Sequence, residues 1–234
     1  MAHALGEVPL GYDPDDLLGW KFPPDYVVTP ELSAALISAL DREARLHMDG
    51  CTVTGFEGSR HLELSLDLMH YVISLRDPAS IPALVQLICS GGSVQQALLE
   101  FGPAIIPAVV EWAQSPDAAW DDIIASLRAL AAAEARWGKT MPAEARANIK
   151  EVARLHLGPP QERVVNPLER EFVLEQAITL ASMLRDPDLL ASLENIAENG
   201  HEALDGTKRP ELEAELREYA RQGSARSLWA TRRQ

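Results

Sequence analysis

Cysteine is scarce in this chain, with two residues, Cys51 and Cys89, among 234. Two cysteines do not form the disulfide framework of a small secreted protein, and these two, 38 positions apart, lack the spacing of a zinc motif. Cys89 lies in the apolar run LVQLICS, which predicts a small buried side chain. We therefore expect a core that forms without disulfides, metal ions or cofactors.

Long hydrophobic runs are also missing. No apolar stretch approaches the roughly 18 residues that a membrane-spanning helix requires. The N-terminal sequence MAHALGEVPLGYDP has no apolar segment of the signal-peptide kind, so we expect a cytoplasmic protein. The alternative is an exported protein whose signal peptide is absent from this sequence, because Ala2, His3 and Ala4 have the small-x-small form of a cleavage site.

Basic residues are outnumbered, with 21 against 35 acidic ones and a net charge of −14. The charge is uneven: residues 1–137 carry 19 acidic and 7 basic side chains, whereas the last 14 residues carry four arginines and no acid. An acidic surface repels phosphate groups, so neither nucleic acid nor an anionic membrane is expected as a partner.

Catalytic fingerprints are missing too. The metalloprotease, P-loop and dinucleotide-binding motifs do not occur. No metal-ligating residues and no catalytic residues are predicted, and an enzyme is the less favoured class.

Aromatic residues make up 6% of the chain, whereas alanine and leucine are abundant, which favours helices. Apolar residues recur at three- and four-residue steps from Thr29 onward, and Asp77-Pro78 is typical of a helix start. The fold class predicted is all-α, with ten helices at 29–48, 60–76, 78–90, 93–101, from 103, 117–137, 141–156, 168–184, 187–199 and 208–222. We divide the chain into an irregular N-terminal arm or cap at 1–29, a helical domain at 30–222 and a basic tail at 223–234.

One sequence pattern occurs twice. Residues 78–85 read PASIPALV and residues 103–110, 25 positions later, read PAIIPAVV. Pro82 and Pro107 each follow the opening proline by four positions, within or just past a first helical turn, where few backbone donors are lost. The pattern predicts two equivalent helix starts, and neither copy contains a reactive group.

The segment SVQQALLEFGPAIIPAVVEWAQSPD resembles a HEAT repeat of the short, phycobilisome-lyase-like kind. The likeness covers residues 61–117, with a weaker echo at 168–199. It implies antiparallel helix pairs stacked as a short right-handed α-solenoid, since one pair alone cannot bury its apolar stripe. It also implies an acidic concave surface that holds another protein, as in an adaptor, assembly or immunity-type factor. The alternative is an enzyme or enzyme subunit of lyase-like type that handles a bulky ligand.

In such an array the outward stripe of the second helices lines the inner face. Gln86, Glu111 and Gln114 are therefore the expected contact residues for a partner. Trp112 and Trp120 are candidate anchors, because tryptophan concentrates binding energy at protein interfaces. The alternative for both tryptophans is packing between repeats.

Overall fold

The computed structural model describes residues 27–51, 68–90, 92–159, 164, 166–201, 214 and 217–222. Throughout these residues the regular structure is helical, which confirms the all-α class. The predicted tail and all but the last three residues of the predicted arm lie outside the described part. The chain divides into two compact units, Met1–Ala83 and Leu84–Gln234.

The first unit contains α1 (Pro30–Cys51) and the helical residues 68–75, which we call α2. Thr29 caps α1 as predicted, because its hydroxyl accepts a hydrogen bond from the Leu32 amide at 3.2 Å. The helix ends three residues later than predicted and continues through Gly50. A glycine inside a helix costs only about 1 kcal/mol, so it need not end one. The buried side chains of this unit include Leu36, Leu40, Met69, Val72 and Ile73.

The sequence Leu-Arg-Asp-Pro, present at 75–78 and 184–187, forms the same turn both times. Asp77 accepts from the Ala79 amide and Asp186 from the Asp188 amide, each at 3.0 Å. The preceding arginines, Arg76 and Arg185, have φ of 51° and 53° and end the previous helix in the left-handed region. Both aspartates therefore cap the helix starts predicted for them.

The two copies of the repeated pattern also share one local conformation. A 3-10 turn at Pro78–Ser80 leads into α3 (Ile81–Val85), and another at Gly102–Ile105 leads into α5 (Ile106–Gln114). Both second prolines lie one residue inside their α-helix, where the missing amide would have no helical partner anyway. The prediction of equivalent starts is confirmed, but α3 is shorter than predicted because the chain turns at residues 86–87.

The second unit is built from successive packed helices. After a 3-10 turn at Ile88–Ser90 come α4 (Gly92–Leu99), α5, α6 (Trp120–Trp137), α7 (Ala143–Leu157), α8 (Pro167–Leu184), α9 (Pro187–Asn199) and the helical residues 217–222, α10. From α5 to α9 each helix packs on the next. The pairs α4 and α6, α5 and α7, α6 and α8, and α7 and α9 pack together as well. Within this unit α4, α6 and α8 thus lie side by side, and so do α5, α7 and α9. None of the described helices combines the length and apolar character that crossing a bilayer requires.

An ion-pair network joins α7 to the start of α9. Lys150 Nζ lies 2.8 Å from carboxylate oxygens of both Asp186 and Asp188. Partial burial raises the pKa of Asp186, but hydrogen bonds from Lys150 and from the Asp188 amide outweigh it and hold the pKa below its ordinary value of 3.8. Asp186 therefore stabilises the folded state when it is ionised.

We expect Lys150→Met to lower stability at neutral pH and to lose this effect in acid. The pKa of Asp186 is lower in the folded chain than in the unfolded chain, so the unfolded chain takes up the proton first as the pH falls. The stabilisation by Asp186 is therefore lost as the pH falls from 3.8 through the lower folded-state pKa. Urea denaturation of both proteins above and below pH 3.8 measures the difference. Lys139→Met, at an exposed position, is the matched control. A gap between wild type and Lys150→Met that stays constant through this range would contradict the prediction.

Candidate functional site

A shallow groove of about 490 Å³ runs between α5 and α7. Glu111 and Gln114 line it from α5, and Asn148 faces them from α7. All three side chains are exposed and make no hydrogen bond or ion pair with the described residues. Its remaining lining residues are Pro107, Val110, Ser115 and Pro116. The groove is therefore lined both by apolar side chains and by polar side chains that have no partner in the described part of the chain.

Gln86 lies in a turn, outside the groove. The sequence pattern gives it the same place as Glu111, but α3 ends at Val85 and leaves Gln86 in a turn. Its side chain is half-buried, and it does not line the groove. The structure thus brings together Glu111 and Gln114, two of the three predicted contact residues.

The two predicted anchor tryptophans have different surroundings. Trp120, at the start of α6, is 37% exposed and stacks on Phe172 of α8, with ring centroids 6.4 Å apart. Phe172 is 36% exposed and Leu168, one turn earlier on α8, is 44% exposed. Trp112 is half-buried, with its indole Nε1 enclosed. Trp120 therefore belongs to an exposed apolar surface, whereas Trp112 packs inside.

A polar cluster includes the two residues that follow Trp120 in the sequence. Ligand atoms of Cys89, Asp121 and Asp122 all lie within 4.8 Å of one another. Cys89 comes from the 3-10 turn at Ile88–Ser90, and the two aspartates from the first turn of α6. Asp122 is fully buried, Cys89 is half-buried and Asp121 is exposed, so the cluster opens to solvent on the Asp121 side.

Hydrogen bonds orient both carboxylates of this cluster. Asp122 Oδ2 accepts from the Ala119 amide at 3.1 Å and so caps α6, while Asp121 Oδ1 accepts from the Asp122 amide at 3.1 Å. Asp122 Oδ1 is buried and has no hydrogen-bond partner. The Cys89 thiol and the Trp112 indole come close enough to lower the pKa of Asp122, but neither forms a hydrogen bond of ordinary geometry with Oδ1.

Burial is the main cause of the pKa shifts of Asp122 and Cys89. Desolvation raises the pKa of Asp122, and it raises the pKa of Cys89 far above the usual range, with the nearby Asp122 carboxylate adding to the effect. A thiol in such a setting stays protonated and is a poor nucleophile. The prediction that Cys89 is a small buried apolar side chain needs correction, because Cys89 is half-buried and lies beside two carboxylates.

No pattern in the sequence predicts that several of these residues lie together. Asn148 and Phe172 become part of a surface only because α7 packs on α5 and α8 packs on α6. Cys89 and Asp122 are 33 positions apart. Acidic residues in a first helical turn are ordinary, so residues 121–122 signal only a helix start.

Comparison with models of known protein families, with curated proteins and with solved structures gives no match. The HEAT-like resemblance and the functions that it implies therefore remain predictions.

Proposed function

We propose that this chain is a non-enzymatic binding module, an adaptor, assembly or immunity-type factor, that holds a partner protein on a short right-handed α-solenoid of the HEAT-like kind. The order of helix packing supports the solenoid. In a solenoid each repeat contacts only its neighbours, so a helix packs on the next helix and on the next but one. The helices from α5 to α9 follow that pattern, and α4 packs on α6.

The observation that carries the binding function is the groove between α5 and α7. In a HEAT-like array these are successive second helices, the layer that faces the partner. Gln114 and Asn148 each offer an amide that both donates and accepts hydrogen bonds, which suits the backbone of an extended peptide segment. Glu111 offers a carboxylate that has no partner among the residues the structure describes. The partner segment is expected to carry a lysine or arginine opposite Glu111.

The net charge of the chain favours the same class of partner. At −14, its field attracts cationic protein surfaces and repels phosphate groups. Association is expected to weaken as salt is added, because exposed charges are screened over about 10 Å at 0.1 M salt. A nucleic-acid or membrane partner remains disfavoured for the same reason.

Affinity capture from cells that naturally produce the protein tests the proposal. The groove variant combines Glu111→Lys, Gln114→Ala and Asn148→Ala, all at exposed positions. The control variant is Leu155→Ala, an exposed apolar residue on α7 outside the groove. We expect wild type and control to retain one basic protein partner, and the groove variant to lose at least about tenfold in affinity. Circular dichroism checks that all variants are folded.

A third variant, which combines Trp120→Ala and Phe172→Ala, tests whether the partner binds at the aromatic pair and not in the groove. It is expected to bind like wild type if the groove holds the partner. Loss of binding in this variant alone would move the interface to the aromatic pair and refute the groove. A capture pattern that is identical in all variants would contradict protein binding through either surface.

The second function, an enzyme or enzyme subunit of lyase-like type, requires acid-base groups around a ligand cavity. The cavities described include the groove and one of about 480 Å³ beside α7, where Arg146 and Lys150 are engaged in ion pairs. Neither is lined by histidine. Turnover by the purified protein without a partner would favour this function over the binding module.

A further inference from the structure

We propose that Cys89, Asp121 and Asp122 form a binding site for one thiophilic divalent cation of the Zn²⁺ class. The site is independent of the proposed partner groove, because it is built from the 3-10 turn at Ile88–Ser90 and the first turn of α6. The three residues supply one thiol sulfur and two carboxylate oxygens that lie within 4.8 Å of one another.

The first argument is an unsatisfied atom. Asp122 has no exposed surface, yet its Oδ1 has no hydrogen-bond partner. A buried acceptor left in this state costs about 1–3 kcal/mol, and more when it is charged. Its other oxygen is already held by the Ala119 amide, so Oδ1 is the carboxylate oxygen that lacks a partner. A cation would satisfy it.

The second argument is the arrangement of the three ligand atoms. Zinc binds sulfur at about 2.3 Å and carboxylate oxygen at about 2.0–2.2 Å, which places ligand atoms some 3.3–3.8 Å apart in a tetrahedron. Ligand atoms that lie within 4.8 Å of one another reach that geometry with a contraction of at most about 1.5 Å. A water molecule would complete the shell as the fourth ligand.

The groups around the ligands suit such a site. Metal-bound carboxylates are normally held by outer hydrogen bonds, and here the amides of Ala119 and Asp122 hold one oxygen of each aspartate. The buried indole Nε1 of Trp112 lies close to the Asp122 carboxyl. The positive end of α6 opposes a cation with about half an elementary charge, but the two carboxylates outweigh it.

The ligand chemistry also selects the metal. A thiolate favours Zn²⁺, Cd²⁺ and Co²⁺, whereas Mg²⁺ and Ca²⁺ prefer oxygen ligands alone. Binding exchanges one proton for the metal: the Cys89 S–H bond breaks, the sulfur binds the cation and the proton goes to the buffer. No electron transfer is involved.

Cobalt titration of the full-length, reduced protein tests the site, because a cobalt–thiolate bond has a charge-transfer absorption in the near ultraviolet. We expect the band to saturate at one Co²⁺ per chain, to be removed by Zn²⁺ and to persist in excess Mg²⁺. The matched control is Cys51→Ser, which should retain the band. Cys89→Ser should lose it, and Asp121→Asn should weaken Co²⁺ binding by about tenfold or more.

Several results of this titration would contradict the proposed site. A wild type without the band, or a band that is lost in Cys51→Ser and kept in Cys89→Ser, would overturn the site. Unchanged Co²⁺ affinity in Asp121→Asn would refute the ligand set. Because Asp121 is exposed, Asp121→Asn should fold like wild type, and its thermal unfolding in metal-free buffer verifies this.

Discussion

Replacing Leu130 by alanine is expected to lower the free energy of unfolding by about 3 kcal/mol. Leu130 is fully buried in α6, the helix that packs on α4, α5, α7 and α8. Removal of its side chain leaves a cavity. The four neighbouring helices cannot move far enough to fill it, so the lost contacts are only partly recovered. Urea denaturation followed by circular dichroism measures the change.

The matched control is Leu155→Ala on α7. This leucine is 40% exposed, so the same chemical change removes little buried surface and should cost less than about 1 kcal/mol. Equal losses at the two positions would mean that α6 is not the central packing element of its unit.

Gly138→Ala is expected to destabilise the protein by about 2 kcal/mol, the second largest effect. Gly138 ends α6, and a methyl group there would lie 2.5 Å from the Glu134 carbonyl oxygen and 2.6 Å from its Oε1. The Glu134 side chain is 7% exposed and lies 3.0 Å from the Arg146 guanidinium. Its displacement would break this ion pair, and a buried carboxylate without its partner is costly.

The environment of Glu134 makes this position sensitive. Burial raises the pKa of Glu134, and the Arg146 guanidinium opposes that shift. Gly158→Ala is the control, because the nearest atom to its added methyl group is the Leu155 carbonyl oxygen at 3.4 Å, an ordinary contact. We expect Gly158→Ala to change stability by no more than about 0.5 kcal/mol. Equal stabilities of the two variants in urea denaturation would contradict the clash at Gly138.

Local signals in the sequence predicted α9 to the residue. Asp186 caps it, Pro187 opens it and Gly200, with φ of 82°, ends it. Each of these depends on the backbone chemistry of one residue and its nearest neighbours, so no tertiary contact is needed. The same reasoning was wrong at the end of α1, where Gly50 did not end the helix.

The candidate sites were predictable only in part. Glu111 and Gln114 lie on one helix face, so helical spacing alone places them together. Their partner Asn148 comes from α7, and no pattern in the sequence connects positions 111 and 148. The pairing of Trp120 with Phe172 and the convergence of Cys89 on Asp122 depend on helix packing in the same way.

The sequence by itself determined the helical class, most helix starts and the acidic charge, because propensity, capping and net charge are properties of residues and short segments. The tertiary structure decided which polar side chains meet and which are buried. Asp122 and Asp121 are adjacent carboxylates in one helical turn, yet packing buries the first beside Cys89 and leaves the second in solvent. That difference comes from contacts between segments distant in sequence, which no local pattern encodes.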